Sequence, residues 1–284
     1  MNGNVIEQFS NMTLVLTVTS GRSGTKLLTV LLREALRLAA EHEPAPRANF
    51  VLRSFIEAPS SAAHWLRSEK LPAMLASARN GFYAETSHLF CKGLIEPVLT
   101  LGMRPKLIIL TRPAREVASS LFQMNIVPAR TESGRLVLVS PSDPNVLTLP
   151  DWQKYTDYQL CYWYAREIER RQAHYESRRA ELGLECLRVA MHDLRTPEAL
   201  ASIAEFLGAT ADEEAFARQK RILSSNQNSR QVASGSDNDR PLPIDRQAGE
   251  ATVDANISQE LTGLRSPTIV VRSMHAWRAR KRGA

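Results

Sequence analysis

A chain of 284 residues with a formal net charge of +6 is long enough to form one large α/β domain around its own core. The modest positive balance suits an anionic small molecule and does not by itself call for nucleic acid. No apolar run reaches the length of a membrane span. The opening MNGNVIEQFS lacks a basic region followed by an apolar stretch, so a cytoplasmic protein without a signal peptide is expected. Cys91, Cys161 and Cys186 have no metal-ligand spacing and are read as reduced, structural thiols.

Residues 14–18, LVLTV, form an apolar β-branched run expected to be a buried parallel strand. The turn Thr19-Ser20-Gly21-Arg22-Ser23-Gly24-Thr25-Lys26 follows, and then Leu27, Leu28, Leu31, Leu32, Ala35 and Leu38 recur at helical spacing. Strand, glycine turn and helix together set free backbone N–H groups and a positive helix end against an anion. Gly21 and Gly24 allow close approach, Arg22 and Lys26 bring charge, and Ser23 and Thr25 bring hydroxyls. The turn lacks the G-x-x-x-x-G-K-[ST] of a nucleoside-triphosphate loop and the G-x-G-x-x-G of a dinucleotide fold.

Prolines in Glu41-His42-Glu43-Pro44-Ala45-Pro46 end this first helix and force an extended segment. Helix is expected over residues 55–80, with Trp65, Leu66, Leu71, Met74 and Leu75 in the core. Phe82-Tyr83-Ala84 reads as a short strand whose carboxyl end carries the polar cluster Glu85-Thr86-Ser87-His88. Open α/β sheets place their sites at such ends. A helix over 92–102 closes at Gly102 and leads to the strongest strand, residues 107–111, LIILT. Arg112 stands at its end and Ser120 lies eight residues on, in the next helix, so both can reach one phosphate.

Residues 124–150 look like an insertion or lid, of the kind that contributes to ligand choice. A long helix from about Trp152 to Leu182 has an aromatic face (Tyr155, Tyr158, Tyr162, Trp163) read mainly as core. A strand over 183–189 follows, then His192-Asp193-Leu194 and a helix from Ala199 to Leu207 closed by Gly208. From about Ala209 the chain turns polar. Residues 224–230 and 235–239 read as loop, and the end, Trp277 to Arg282, reads as a solvated basic tail.

RSGTKLL resembles the 5′-phosphosulfate loop of the sulfotransferases that use 3′-phosphoadenosine-5′-phosphosulfate (PAPS), although Lys26 stands where that family often has Thr, Ser or Arg. Arg112 and Ser120 resemble its 3′-phosphate segment, and the Asp193 to Gly208 stretch resembles a third, architectural segment. The resemblance is closest in style to bacterial carbohydrate and tyrosylprotein sulfotransferases, and it covers about residues 14–210. It implies a single domain over 1–284 of α/β class, a three-layer P-loop-like fold with a central, mostly parallel sheet flanked by helices. It also implies transfer of a sulfonyl group from PAPS to a hydroxyl or amine of a small molecule or glycan, with 3′-phosphoadenosine-5′-phosphate as product and no metal. Gly21, Arg22, Ser23, Gly24, Thr25 and Lys26 would take the 5′-phosphate, and Arg22 would also face the transferred group. Arg112 and Ser120 would grip the 3′-phosphate. A general base is implied at Glu43 in HEP or at Glu85 in AETSHLF, with His88 as a third candidate. Asn226 and Arg230 are candidates for a late loop closing over the donor. A nucleotide-dependent kinase of related fold and a non-catalytic nucleotide-binding protein are the competing readings.

Overall fold

The computed structural model describes residues 5–233 and 240–261. Five strands form one all-parallel sheet: β1 (Thr13–Val18), β2 (Ala40–Glu41), β3 (Phe82–Glu85), β4 (Lys106–Thr111) and β5 (Cys186–Ala190), in the order β2-β3-β1-β4-β5. The pairing sets Leu16 against both Glu85 and Leu107, and Ile109 against Arg188. β1 and β4 are buried on both faces, which is why their sequences are unbroken apolar runs. Leu14, Leu16 and Val18 enter one core and Val15 the other, while Leu107 and Ile109 oppose Ile108 and Leu110 in the same way. This two-residue alternation divides the molecule into three layers.

Helix α1 (Thr25–Val30) runs on through a wider π turn, Leu31–Ala35. Helix α2 (Ala114–Gln123) follows β4, and helix α3 (Asp157–Ser177) packs beside it. A Thr156–Gln159 capping box fixes where α3 begins. Helix α4 (Pro197–Leu207) begins at the Thr196 side chain, which accepts from the Ala199 N–H, and ends at Gly208 in the left-handed conformation. Helices α5 (Glu213–Ala233) and α6 (Arg246–Leu261) complete the chain. Arg218 of α5 donates two hydrogen bonds to the Ala35 carbonyl at the end of the π turn, a cation answering the carbonyl end of a helix.

Several elements differ from the sequence reading. The short edge strand β2 had no distinct signal. Residues 55–80 are a broken series of short helices, Leu52–Glu57, Pro59–Trp65, the π turn Leu66–Lys70 and Leu71–Ser77. The 124–150 segment contains a helix, Glu132–Val137. Residues 224–230, read as loop, continue α5, and the expected polar tail contains α6, whose Val253 and Ile257 are buried in the core. Residues 235–239 and the basic stretch from Trp277 to Arg282 lie outside the described residues. Among the described residues, no helix is long and apolar enough to cross a membrane.

One buried carboxylate ties α6 to the layer above the sheet. Glu250 accepts from Arg115 Nε at 2.8 Å and from the Tyr158 hydroxyl at 2.6 Å. Arg115 holds Glu250 below the usual carboxylate range, together with the Tyr158 hydroxyl and against the cost of burial. Glu250→Ala removes these charge-assisted bonds and is expected to cost about 1.5–3 kcal/mol. The check is the urea midpoint, which should fall while the m-value stays unchanged.

Candidate functional site

The strand order places β1 at the centre. The chain moves from β1 to one side of the sheet, then returns past β1 to β4 and β5. The crevice beyond the carboxyl ends of β1 and β4 is therefore a topological switch point, where open α/β sheets hold their ligands. Both basic turns singled out in the sequence open onto it.

The first turn leaves β1 through tightly held backbone. Gln172 Nε2 donates to the Val18 and Leu110 carbonyls at the ends of β1 and β4, and the Tyr164 hydroxyl donates to Ser20 O at 2.6 Å. Gly21, Arg22 and Gly24 then take φ of +75°, +56° and +86°. For Arg22 this left-handed backbone costs roughly 1–2 kcal/mol, so the surroundings must hold it. Arg112 Nη1 donates to the Arg22 carbonyl at 2.5 Å, and Arg22 Nε donates to Ser120 Oγ at 3.2 Å. The two turns thus bind each other.

Within the loop the hydroxyls are not alike. Ser23 is fully buried and its hydroxyl donates to the Gly21 carbonyl, beside Ser20 Oγ at 2.7 Å. It shapes the turn. Arg22 and Lys26 are exposed at the start of α1, whose Gly24 cap lends no side chain to the first N–H groups. Gly24 leaves room for Met191, which a Cβ would meet at 3.0 Å.

The second turn carries a partner that the spacing did not reveal. Arg112 Nε pairs with Glu116 Oε2 at 3.0 Å, one helical turn away, and Arg112 holds that carboxyl below its ordinary range. His192 at the end of β5 faces the other Glu116 oxygen at 3.4 Å.

Beside Lys26 opens a cavity of about 240 Å³ lined by His42, Glu43, Arg47, Glu85 and Ser87 among others. The candidate bases meet here on unequal terms. Glu85 ends β3 and is 2% exposed. Its carboxylate lies 2.9 Å from Lys70 Nζ, which is equally buried and also donates to the carbonyls of Pro44 and Pro46. Burial raises Glu85 to about 7, with Lys70 pulling the other way. This pair fastens the loop that carries Glu43 to the sheet. Glu43 is 29% exposed, holds a left-handed φ of +47°, and has one carboxylate oxygen buried without a hydrogen-bond partner. His88 Nε2 faces that oxygen at 3.4 Å.

His88 itself is packed against the anion turn: a Cβ on Gly21 would lie 3.1 Å from its Cγ. Lys92 Nζ bonds to His88 Nδ1 and to the Val137 carbonyl. Burial first, and then the neighbouring Lys92, depress the histidine well below its ordinary value, so the ring is neutral. While Lys92 is charged it has no lone pair, so Nδ1 accepts and the ring proton sits on Nε2, the nitrogen 3.4 Å from Glu43 Oε1.

Gly21 to Lys26, Arg112 and Ser120 thus converge, and Glu43, Glu85 and His88 share the neighbourhood of the adjoining cavity. Asn226 and Arg230 fall in the backbone of α5, and their side chains lie outside the described residues. Lys70, Lys92, Glu116, Tyr164 and Gln172 were missed, since each acts on a residue far away in sequence or through a single ordinary charge. Tyr158, Tyr162 and Trp163 are core residues, as the aromatic face suggested. Cys91 and Cys161 are buried thiols, both raised by burial. Among the described residues no group of three or more His, Cys, Asp or Glu is arranged to hold a metal ion. No protein-family model matches the sequence, and no curated protein matches it.

The Glu85 environment makes a pH prediction. Its folded-state value lies above the ordinary 4.5, so the folded protein keeps this proton longer than the unfolded chain. The associated stability is present at low pH and is lost as pH rises from about 4.5 to about 7. Wild-type stability should therefore fall more steeply than that of Glu85→Gln across this window. Chemical denaturation of both proteins at a series of pH values checks this, and parallel curves would contradict it.

Proposed function

We propose that the protein transfers a sulfonyl group from 3′-phosphoadenosine-5′-phosphosulfate to the hydroxyl or amine of a small molecule or glycan. The observation that carries this reading is the contact between Arg22 and Ser120, 98 residues apart, which joins two basic strand-to-helix turns in one crevice. Two anion-binding turns side by side suit one ligand with two separated phosphate groups. The turn geometry agrees with this: positive φ at Gly21 and Gly24 brings backbone N–H groups close to an anion, and Arg22 and Lys26 stay exposed beside them.

In this mechanism Gly24, Thr25 and Lys26 hold the 5′-phosphate, while Arg112 and Ser120 hold the 3′-phosphate. Arg112 must share itself between Glu116 and the ligand, which favours a highly charged anion over a weak one. The acceptor occupies the cavity beyond Lys26. Glu43 takes its proton, the acceptor oxygen or nitrogen forms a bond to sulfur, and the bond from sulfur to the 5′-phosphate oxygen breaks. Negative charge grows on the leaving phosphate, where Arg22 and Lys26 stabilise it. Alignment and charge stabilisation carry the reaction, because the donor already contains a good leaving group.

Glu43 suits the base better than Glu85. It is partly open to the cavity, and its Oε1, which has no hydrogen-bond partner, lies 3.4 Å from His88 Nε2. Glu85 is bound to Lys70, and its removal would disturb the loop under Glu43. Catalytic hydrogen bonds are often long before substrate binds, which suits the 3.4 Å separation from His88.

Transfer of labelled sulfate from donor to an acceptor panel tests the reading. Arg22→Ala should abolish turnover. Arg112→Ala should mainly weaken donor binding. Glu43→Gln should lose roughly 10²–10⁴ in turnover with donor affinity kept. Transfer by no acceptor, or full activity in both Glu43→Gln and Arg22→Ala, would reject the proposal.

A further inference from the structure

A second cavity, of about 260 Å³, lies apart from the crevice. Its walls come from helix Leu52–Glu57, the segment from Lys92 to Pro97, the loop from Val139 to Asn145, and the later turns of α3. Phe55, Ile56, Pro97 and Val139 give it an apolar side. Lys92, Glu96 and His174 give it a polar one. The volume falls just below the roughly 300–1,000 Å³ of drug-sized pockets, so the occupant is small.

Lys92 is the anomaly. It is 1% exposed, and among the described residues no carboxylate lies within ion-pair distance of its ammonium. Its hydrogen bonds go to two uncharged acceptors, His88 Nδ1 and the Val137 carbonyl, and the Tyr164 ring centre lies 5.2 Å away. A buried cation without a counter-ion is costly. The other cations around it are already matched. Arg53 holds Asp143, while Arg170 and Arg171 share the fully buried Glu167. Four residues beyond Lys92 on the same segment, Glu96 accepts the Tyr175 hydroxyl through one oxygen. Its other oxygen and His174 Nε2 are both buried without a hydrogen-bond partner. The cavity is thus lined by a lysine with no carboxylate partner among the described residues, by Glu96 and His174 with one unpartnered atom each, and by an apolar wall.

We propose that this cavity binds a small carboxylic acid bearing an amino or hydroxyl group and a short apolar side chain. The carboxylate meets Lys92, the donor group meets Glu96, and the side chain lies against Phe55, Ile56 and Val139. None of its walls belongs to the two basic turns, and its one link to the proposed transfer site is Lys92, which also bonds to His88 beside Glu43.

Proton linkage gives the site a signature. Burial pushes Lys92 down to about 7. The groups facing it are Cys91 and His88 on its own segment, Arg171 and Tyr164 from α3, Arg53 from helix Leu52–Glu57, and Glu43 from the loop after β2. Only charged Lys92 holds a carboxylate, so binding takes up a proton and weakens as pH rises above about 7. Occupation also keeps Lys92 charged, and with it the His88 tautomer that faces Glu43.

Calorimetry with L-leucine, 2-hydroxyisocaproate, isocaproate and isoamylamine tests the proposal on the full chain. The first two should bind, isocaproate about tenfold more weakly for want of the donor, and the amine not at all. Affinity should fall by about tenfold per pH unit well above 7. Lys92→Met should abolish binding, and Val139→Phe, which fills the cavity and leaves the lysine, should do the same. No binding by either substituted acid, undiminished binding in a folded Lys92→Met or Val139→Phe, or a flat pH profile overturns the site. Equal affinity for isocaproate and 2-hydroxyisocaproate overturns the role of Glu96.

Discussion

The Arg112 guanidinium donates to the Arg22 carbonyl across the ends of two neighbouring strands. Much else depends on that bond. It closes over a turn whose left-handed arginine would otherwise be unfavourable, and it sets the two positive side chains at the switch point of the sheet. The sheet supplies the rigid base. Parallel pairing of β1 with β4 fixes where both turns begin, and Gln172 binds both strand ends from above. The Arg22, Arg112 and Ser120 side chains are held in place by their bonds across the two turns.

Buried charge organises the other half of the site. Lys70 holds the carbonyls of Pro44 and Pro46 and the carboxylate of Glu85, which sets the position of Glu43 at the cavity. Lys92 fixes the His88 ring from the opposite side. Two lysines, each 1% exposed, thus fix the surroundings of one partly exposed glutamate. Both buried charges bear on the surroundings of the same carboxylate. The stability lost in burying them is offset by the large double-sided core around β1 and β4.

The sequence made the centre of the fold legible and left its edges obscure, for physical reasons. β1 and β4 are buried on both faces, so their apolar runs announce them. β2 pairs on one side only through Ala40 and Glu41 and is too short to carry a pattern. Ser224, Ser225, Asn226, Asn228 and Ser229 favour turns in isolation, yet residues 224–230 continue α5, whose earlier part is anchored through Ile222, Gln219 and Arg218. Helix α6 was hidden in the same way, since its burial rests on Glu250, Val253 and Ile257 within a polar stretch. The two basic turns were legible as turns because their residues are close in sequence. The supports were not. Tyr164 reaches Ser20 across 144 residues, and Lys92 reaches Val137 across 45. No local pattern records such contacts.

The central claim is that the crevice recognises two separated phosphates on one ligand. Calorimetric titration with 3′-phosphoadenosine-5′-phosphate, set beside adenosine 5′-monophosphate, tests it most directly. The account predicts that the bisphosphate binds at least about tenfold tighter, the contribution of charge-assisted bonds to the added phosphate. It also predicts that Ser120→Ala narrows that gap. Equal affinity for the two nucleotides, or no binding of either, would contradict it.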